Sequence, residues 1–268
     1  MFSVRRGLAV LCLIASCNAS GDILPNVSLE AFTSPELARA IAGGKTTVLI
    51  PIGGTEQNGP YMVLGKHNVR AKVLAERIAI QLGNALVAPV MAYVPEGGTD
   101  PPTAHMRFPG TITITEAAFE SILESTAQSL RLAGFRDIVF LGDHGGYQPA
   151  LQRASQRLNR EWSAAPARAY AITEYYRASE SGFANALKAR GYGAAEIGTH
   201  AGLADTSLAL AVDPKLVRID HLKTAPPPSD KDGVHGDPRR ASTELGQVGV
   251  ELVVADTVNA IRSAIAHR

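Results

Sequence analysis

Beyond residue 17 this chain has no cysteine. Its only two, Cys12 and Cys17, fall within the first 20 of 268 residues. The body of the protein therefore has no disulfide to staple it and no thiolate to offer a metal. Its stability must come from a buried core, and any metal must be held by His, Asp or Glu. Aromatic residues are also scarce, at 6%. With a formal net charge of +1 and no long basic run, the chain lacks the cationic track and the stacking surface of a nucleic-acid binder. No apolar run reaches the length of a transmembrane helix. No internal repeat, low-complexity stretch or strong domain boundary divides the sequence. A 46% hydrophobic content over this length suits one compact domain with a sizeable core, or two small ones.

The short apolar run at 7–15 follows Arg5 and Arg6 and precedes small residues. This is the pattern of a signal peptide, assigned to 1–19. Two endings fit it. One is cleavage after Ala19. The other is lipoprotein processing, in which Cys17 becomes a lipidated first residue. Both predict an exported chain, in the bacterial periplasm or lipid-anchored if Cys17 is modified, with a single domain over 20–268.

The stretch 47–68, TVLIPIGGTEQNGPYMVLGKHN, organises the rest of the chain. Its apolar, β-branched start predicts a buried strand over 47–52. A polar loop then carries Glu56, Gln57, Asn58, Tyr61 and His67. From Asn68 the residues Val69, Val73, Leu74, Ile78 and Leu82 share one helical face. Further strands are predicted at 86–94, 137–141 and 168–172, with a short strand or hairpin arm at 110–114. Helices are predicted after Thr115 and over 149–162, 178–190 and 204–212, and a long one from Arg240 to the end. Loops at 95–108 and 226–238 carry His105, and His235 with Asp237; the second is a candidate lid. Strands alternating with helices predict a three-layer α/β/α sandwich on a mostly parallel sheet.

In such a sheet the loops leaving the strand ends converge at one edge. Glu56 and His67 lie on one of these loops, and His144 on another, in Asp143-His144-Gly145-Gly146. His200 and Asp205 come later in the chain. Histidines and carboxylates gathered without cysteine suit zinc, manganese or iron.

The motif Glu56-Gln57-Asn58-Gly59-Pro60 with His67, the Asp143–Gly146 run, Phe108-Pro109-Gly110-Thr111, and His200-Ala201-Gly202-Leu203-Ala204-Asp205-Thr206-Ser207 together resemble the creatininase (creatinine amidohydrolase) family. The resemblance covers 46–210, with the motifs in the family's order. It implies an α/β/α sandwich, often hexameric, that hydrolyses non-peptide and often cyclic amides with two metals; relatives include formamide hydrolases and a peptide-trimming enzyme. By this resemblance Glu56, His67 and His144 match ligands of the first metal, and His200 matches a proton-transfer residue. The chain departs from the family pattern at His67, where relatives carry a bridging Asp. It departs again at Asn58, where they carry a His, and at Gly146 or Asp205, where they carry a Glu.

The expectation is one divalent metal per chain, zinc before manganese or iron, on Glu56, His67 and His144. Asp143 or Asp205 would orient or deprotonate the metal-bound water, and His200 would protonate the leaving nitrogen. Asn58, Tyr61, His105, Gly145 and Gly146 would line a pocket for a small amide substrate. The expected activity is an exported metal-dependent amidohydrolase, assembled as a homo-oligomer. The alternative is a metal-containing binding protein on the same fold with altered catalysis.

Overall fold

Successive residues of the first strand face opposite sides of a sheet, and both sides are apolar. Val48, Ile50 and Ile52 pack with Phe119, Leu123, Leu151, Leu158 and Trp162. Leu49 packs the other way, with Leu74, Ile78, Val139, Leu208 and Val253. A strand buried on both faces has no use for polar alternation, which is why this segment reads as a continuous apolar run.

The computed structural model describes residues 26–224 and 226–267. The signal-peptide expectation for 1–19 lies outside the described residues. In chain order the main elements are α1 (Ser34–Ala42), β1 (Thr47–Ile52), α2 (Lys66–Leu82), β2 (Ala85–Val87), α3 (Glu116–Leu132), β3 (Asp137–Gly142), α4 (Gln148–Glu161), β4 (Arg168–Ala171), α5 (Thr173–Arg177), α6 (Phe183–Lys188), α7 (Ala194–Ile197), α8 (Leu203–Val212), α9 (Ile219–Thr224) and α10 (Thr243–Ala266). The four strands are all parallel, in the order β2-β1-β3-β4. Thr47 lies opposite both Ala85 and Asp137, and Ile52 lies opposite Gly142. Helices α3 and α4 cover one face; α2, α8 and α10 cover the other. This is the three-layer α/β/α architecture read from the sequence. A third apolar cluster, with Met62, Leu210, Leu216, Val217 and Val234, seats the loops beyond the strand ends against α8.

Four expectations need correction. The strand expected at 86–94 is regular only over Ala85–Val87. The chain does continue beside β1, with Ala88 N–H donating to Leu49 O at 2.8 Å and Met91 N–H to Pro51 O at 3.0 Å. Pro89 has no N–H for the ladder and breaks it. Residues 110–114 form no strand. Their backbone is held piecemeal, Ile112 N–H to Thr55 O and Ile114 N–H to Val94 O, while the Thr111 and Thr113 hydroxyls accept from Gln57 and Glu96 N–H. The helix expected at 178–190 begins earlier, at Thr173, and passes through a π turn at Ala178–Gly182 before α6. Finally, α2 starts at Lys66, so His67 sits in its first turn rather than on the preceding loop.

Candidate metal centre

Glu56 lies just beyond the end of β1 and is fully buried. Three imidazoles present Nε2 to its carboxylate. His67 Nε2 lies 2.7 Å from Oε1. His105 Nε2 and His144 Nε2 lie 3.3 Å and 3.4 Å from Oε2. The ligand atoms of Glu56, His105 and His144 lie within 4.8 Å of one another. Each comes from a different segment beyond the sheet's carboxyl edge: the loop after β1, the loop between β2 and α3, and the loop after β3. Tyr147 fixes two of these segments. Its hydroxyl lies 2.8 Å from Ile52 O and accepts from the N–H groups of Asp143 and His144.

The set expected from sequence differs by one imidazole. His67 is engaged at both nitrogens, because Nδ1 lies 2.6 Å from Asp143 Oδ2 while Nε2 faces Glu56 Oε1. His105, expected only to line the pocket, stands with Glu56 and His144 instead. Gln57 ties it there, with Nε2 placed 3.1 Å from His105 Nδ1 and 3.1 Å from Gly233 O.

Behind this cluster lies a saturated ionic network. Asp143 Oδ1 accepts from the Tyr175 hydroxyl at 2.7 Å, and Oδ2 accepts from Arg70 Nε at 2.8 Å. Asp205 accepts from Arg70 Nη1 at 2.6 Å, from Ala201 N–H at 3.0 Å and from the Lys66 ammonium. Lys66 and Arg70 stand four residues apart at the start of α2, hence on one face. Both are buried. Burial opposes ionisation of Asp205, but Lys66 and Arg70 outweigh it and hold the carboxyl well below its ordinary value. Asp143 is lowered in the same way, with Arg70 and His67 outweighing burial. Every oxygen of the two aspartates thus faces at least one donor.

The remaining electrostatics favour a cation. Burial lowers the His144 pKa to about 4, against a partial offset from Glu56. Burial also lowers that of His105. Both rings are thus neutral at neutral pH, the state in which imidazole ligates metal. Glu56 stays ionised despite burial, because His67 and Lys66 stand around it. Its Oε2 is buried and accepts no hydrogen bond.

The cluster opens into a cavity of about 1220 Å³ whose lining includes Arg107, Phe108, His144, Tyr176, Lys188 and His200. His200 Nδ1 lies 3.8 Å from Glu56 Oε1, and its Nε2 lies 3.0 Å from Gln57 O. Burial, then the nearby Lys66 charge, lowers its pKa to about 3. Next to His200, Ala201 has φ 50, a left-handed turn that a non-glycine residue adopts only under constraint. The constraint is a close backbone approach. Residues His200 and His235 pair antiparallel, and a Cβ on Gly198 would stand 2.0 Å from His235 O. The segment read as a lid is therefore stitched to the His200 loop.

A family model described as creatinine amidohydrolase matches residues 30–261. The chain belongs to the creatininase family. It is 29% identical over 233 residues to the mycofactocin precursor peptide peptidase of Mycolicibacterium smegmatis, covering 79% of this chain and 81% of that one. It is 24% identical over 259 residues to the creatinine amidohydrolase of Pseudomonas putida, covering 88% and 96%. A creatininase solved with manganese superposes with a TM-score of 0.75 at 23% identity, over 90% of this chain and 99% of that one. A creatininase variant of zinc–zinc type gives 0.73.

Among the other expected pocket residues of this creatininase-family chain, Gly145 and Gly146 line the cavity. Asn58 does not. Its amide donates to Glu56 O and Val63 O at 2.9 and 3.1 Å and shapes the loop from within. Tyr61 packs into the third apolar cluster, away from the cavity. Lys66, Arg70, Glu96 and Tyr175 were not expected. The two cations carried a signal, an i,i+4 pair flanking His67. Glu96 carried only its position, directly after Pro95 on the segment that leaves β2.

Proposed function

We propose that this chain is a metal-dependent hydrolase of C–N amide bonds, working with one divalent ion held by Glu56, His105 and His144. The observation that carries the reading is Glu56 Oε2. It is a buried anionic oxygen with no hydrogen-bond partner, faced by two neutral imidazole nitrogens at 3.3 and 3.4 Å. Two nitrogens and a carboxylate oxygen suit zinc first and manganese or iron next, with a position left for water. An ion bound there supplies a Lewis acid for the carbonyl and a water of lowered pKa. Support for one ion rather than two comes from Asp205, whose oxygens face Lys66, Arg70 and Ala201 N–H, and from Asn58 and Gly146, which leave no carboxylate or imidazole in their place.

His200 is the proton-transfer group. Burial and Lys66 lower its pKa to about 3, so it begins neutral. In the proposed cycle it would take at Nδ1 the proton released by the attacking water and return it to the leaving nitrogen. The sequence had cast it only as the donor. His67 holds Glu56 in place against Asp143.

Two features bear on the substrate. The cavity, at about 1220 Å³, exceeds the roughly 300–1,000 Å³ typical of small-ligand pockets, and one relative is named a precursor peptide peptidase. An amide within a peptide or a similarly extended molecule fits better than a creatinine-sized ring. The exposed lining carries Arg107, Lys188 and Lys231 against Glu180, which favours an anionic substrate. The test is hydrolysis by metal-loaded protein across cyclic amides, formamides and acidic peptides. Turnover of any amide, lost on chelation and restored by metal, supports the reading. Tight metal binding with no turnover across the panel sinks it and leaves the binding-protein alternative.

A further inference from the structure

Among the described residues, Glu96 is a buried carboxyl that the site described so far does not use. It is 3% exposed, and no donor group of the protein satisfies either carboxyl oxygen. The group it meets is another acid, the Glu56 carboxyl, whose contact together with burial raises the Glu96 pKa to about 9. A buried carboxyl without partners is costly, and folded proteins rarely leave one in place unless something else satisfies it. Its surroundings show what that is. Oε2 lies 3.7 Å from His144 Nε2, and the carboxyl abuts that of Glu56. Glu56 Oε2 and Glu96 Oε2, one from each carboxyl, thus lie beside one imidazole nitrogen, at 3.4 and 3.7 Å.

The position is built. Glu96 N–H donates to Thr113 Oγ1 at 2.9 Å, and Ile114 N–H donates to Val94 O, so the backbone is pinned on both sides. On the far side Oε1 fits against Gly54, where a Cβ would stand 2.5 Å away. Gly54 has φ +150, a conformation open to glycine. The end of β1 is therefore shaped to admit this carboxyl.

We propose that Glu96 is a fourth protein ligand of the metal, joining Glu56, His105 and His144. This rests on the metal-dependent reading of the site. Two carboxylates and two imidazoles make a harder site than one carboxylate and two imidazoles. Four protein ligands would close a tetrahedral zinc site. The water position required by the hydrolase reading then stays open only for an ion of higher coordination number, and the added oxygen favours manganese or iron(II) over zinc. Glu96 thereby sets which metal the chain selects, as well as how tightly.

The experiment is metal affinity by chelator competition, with Zn²⁺ and Mn²⁺ as probes, on wild type, Glu96→Gln and Glu96→Ala. The visible spectrum of Co²⁺-loaded protein and the melting temperature of metal-free protein are recorded alongside. Both variants should bind Mn²⁺ at least ~100-fold more weakly and Zn²⁺ at least ~10-fold more weakly, with an altered Co²⁺ spectrum. Their metal-free melting temperature should equal or exceed that of wild type, because an unsatisfied buried carboxyl has been removed. Affinities within threefold of wild type and an unchanged Co²⁺ spectrum overturn the assignment. So does a loss of affinity in both variants that comes with a lowered metal-free melting temperature, which would mark Glu96 as a packing residue. Wild-type protein that binds neither ion would overturn the metal-dependent reading itself, a result distinct from a Glu96 variant that binds normally.

Discussion

Replacing His105 with alanine separates the ligand set that converges in the structure from the one the sequence implied. A structural zinc site of four ligands binds with about 10–16 kcal/mol, or roughly 3 kcal/mol per ligand if shared evenly. At about 1.4 kcal/mol per tenfold, loss of one ligand weakens affinity by about 10²–10³. The fold should hardly notice. The His105 side chain is 21% exposed and borders a cavity, so its removal leaves no closed void. His67→Ala should behave in the opposite way. That ring joins Glu56 to Asp143 while almost wholly buried. Its loss strips a charge-assisted contact worth about 1.5–3 kcal/mol and lowers metal-free stability by a similar amount. Its effect on metal is that of a supporting residue, about 10-fold, at the low end of the usual range. Metal content by elemental analysis, affinity by chelator competition and metal-free thermal denaturation give the two profiles. A His67→Ala protein that loses more than ~100-fold in affinity, beside a His105→Ala protein that keeps its metal, would refute the assignment and restore His67 as a ligand.

Lys66→Met keeps the side chain's bulk and removes its charge. Arg70 and Ala201 N–H still satisfy Asp205, so the cost should stay near 2–3 kcal/mol, a fall in melting temperature of roughly 5–10 °C; no change would show the ammonium to be dispensable. The lowered Asp205 carboxyl contributes stability that is fully present above its ordinary value of about 3.9 and is lost as pH falls toward its folded value. Asp205→Asn should therefore flatten acid unfolding below pH ~4, while an unchanged acid limb would remove Asp205 from that account. His200→Asn should retain the metal and lose about 10²–10⁴-fold in turnover; full turnover would return His200 to a structural role. Protein taken from its source cell should lack at least the first sixteen residues. An intact Met1 by mass spectrometry would end the export proposal, and a diacylglyceryl mass on Cys17 would select the lipoprotein form.

One physical difference separates the elements that were legible in the sequence from those that were not. Burial of backbone in a two-faced sheet demands a continuous apolar run, so β1 and β3 were legible to within a residue. Helix α4 was equally plain, because an apolar face repeats along it, and α8 was placed to within a residue although it is buried on most of its sides. The start of α2 was not, since its first turn buries Lys66, His67 and Arg70 by pairing them with carboxylates from the β3 end and α8 rather than by apolar contact. Periodicity counts apolar side chains and passes over charged ones that point inward. The same blindness decided the ligand set. Glu56 and His144 lie just past the two legible strands, where a site residue is expected. His105 and Glu96 lie on the segment after β2, where Pro89 breaks the ladder and side-chain hydroxyls replace strand pairing. On such a segment a carboxylate in solvent and a carboxylate in a site have the same sequence. They differ in their partners. Glu96 differs from the other inward-facing acids, Asp137, Asp143 and Asp205, in that each of those has a donor to satisfy it while Glu96 has none. That contrast is what the proposed fourth ligand rests on, and it exists only once the loops have been brought together at the sheet's edge.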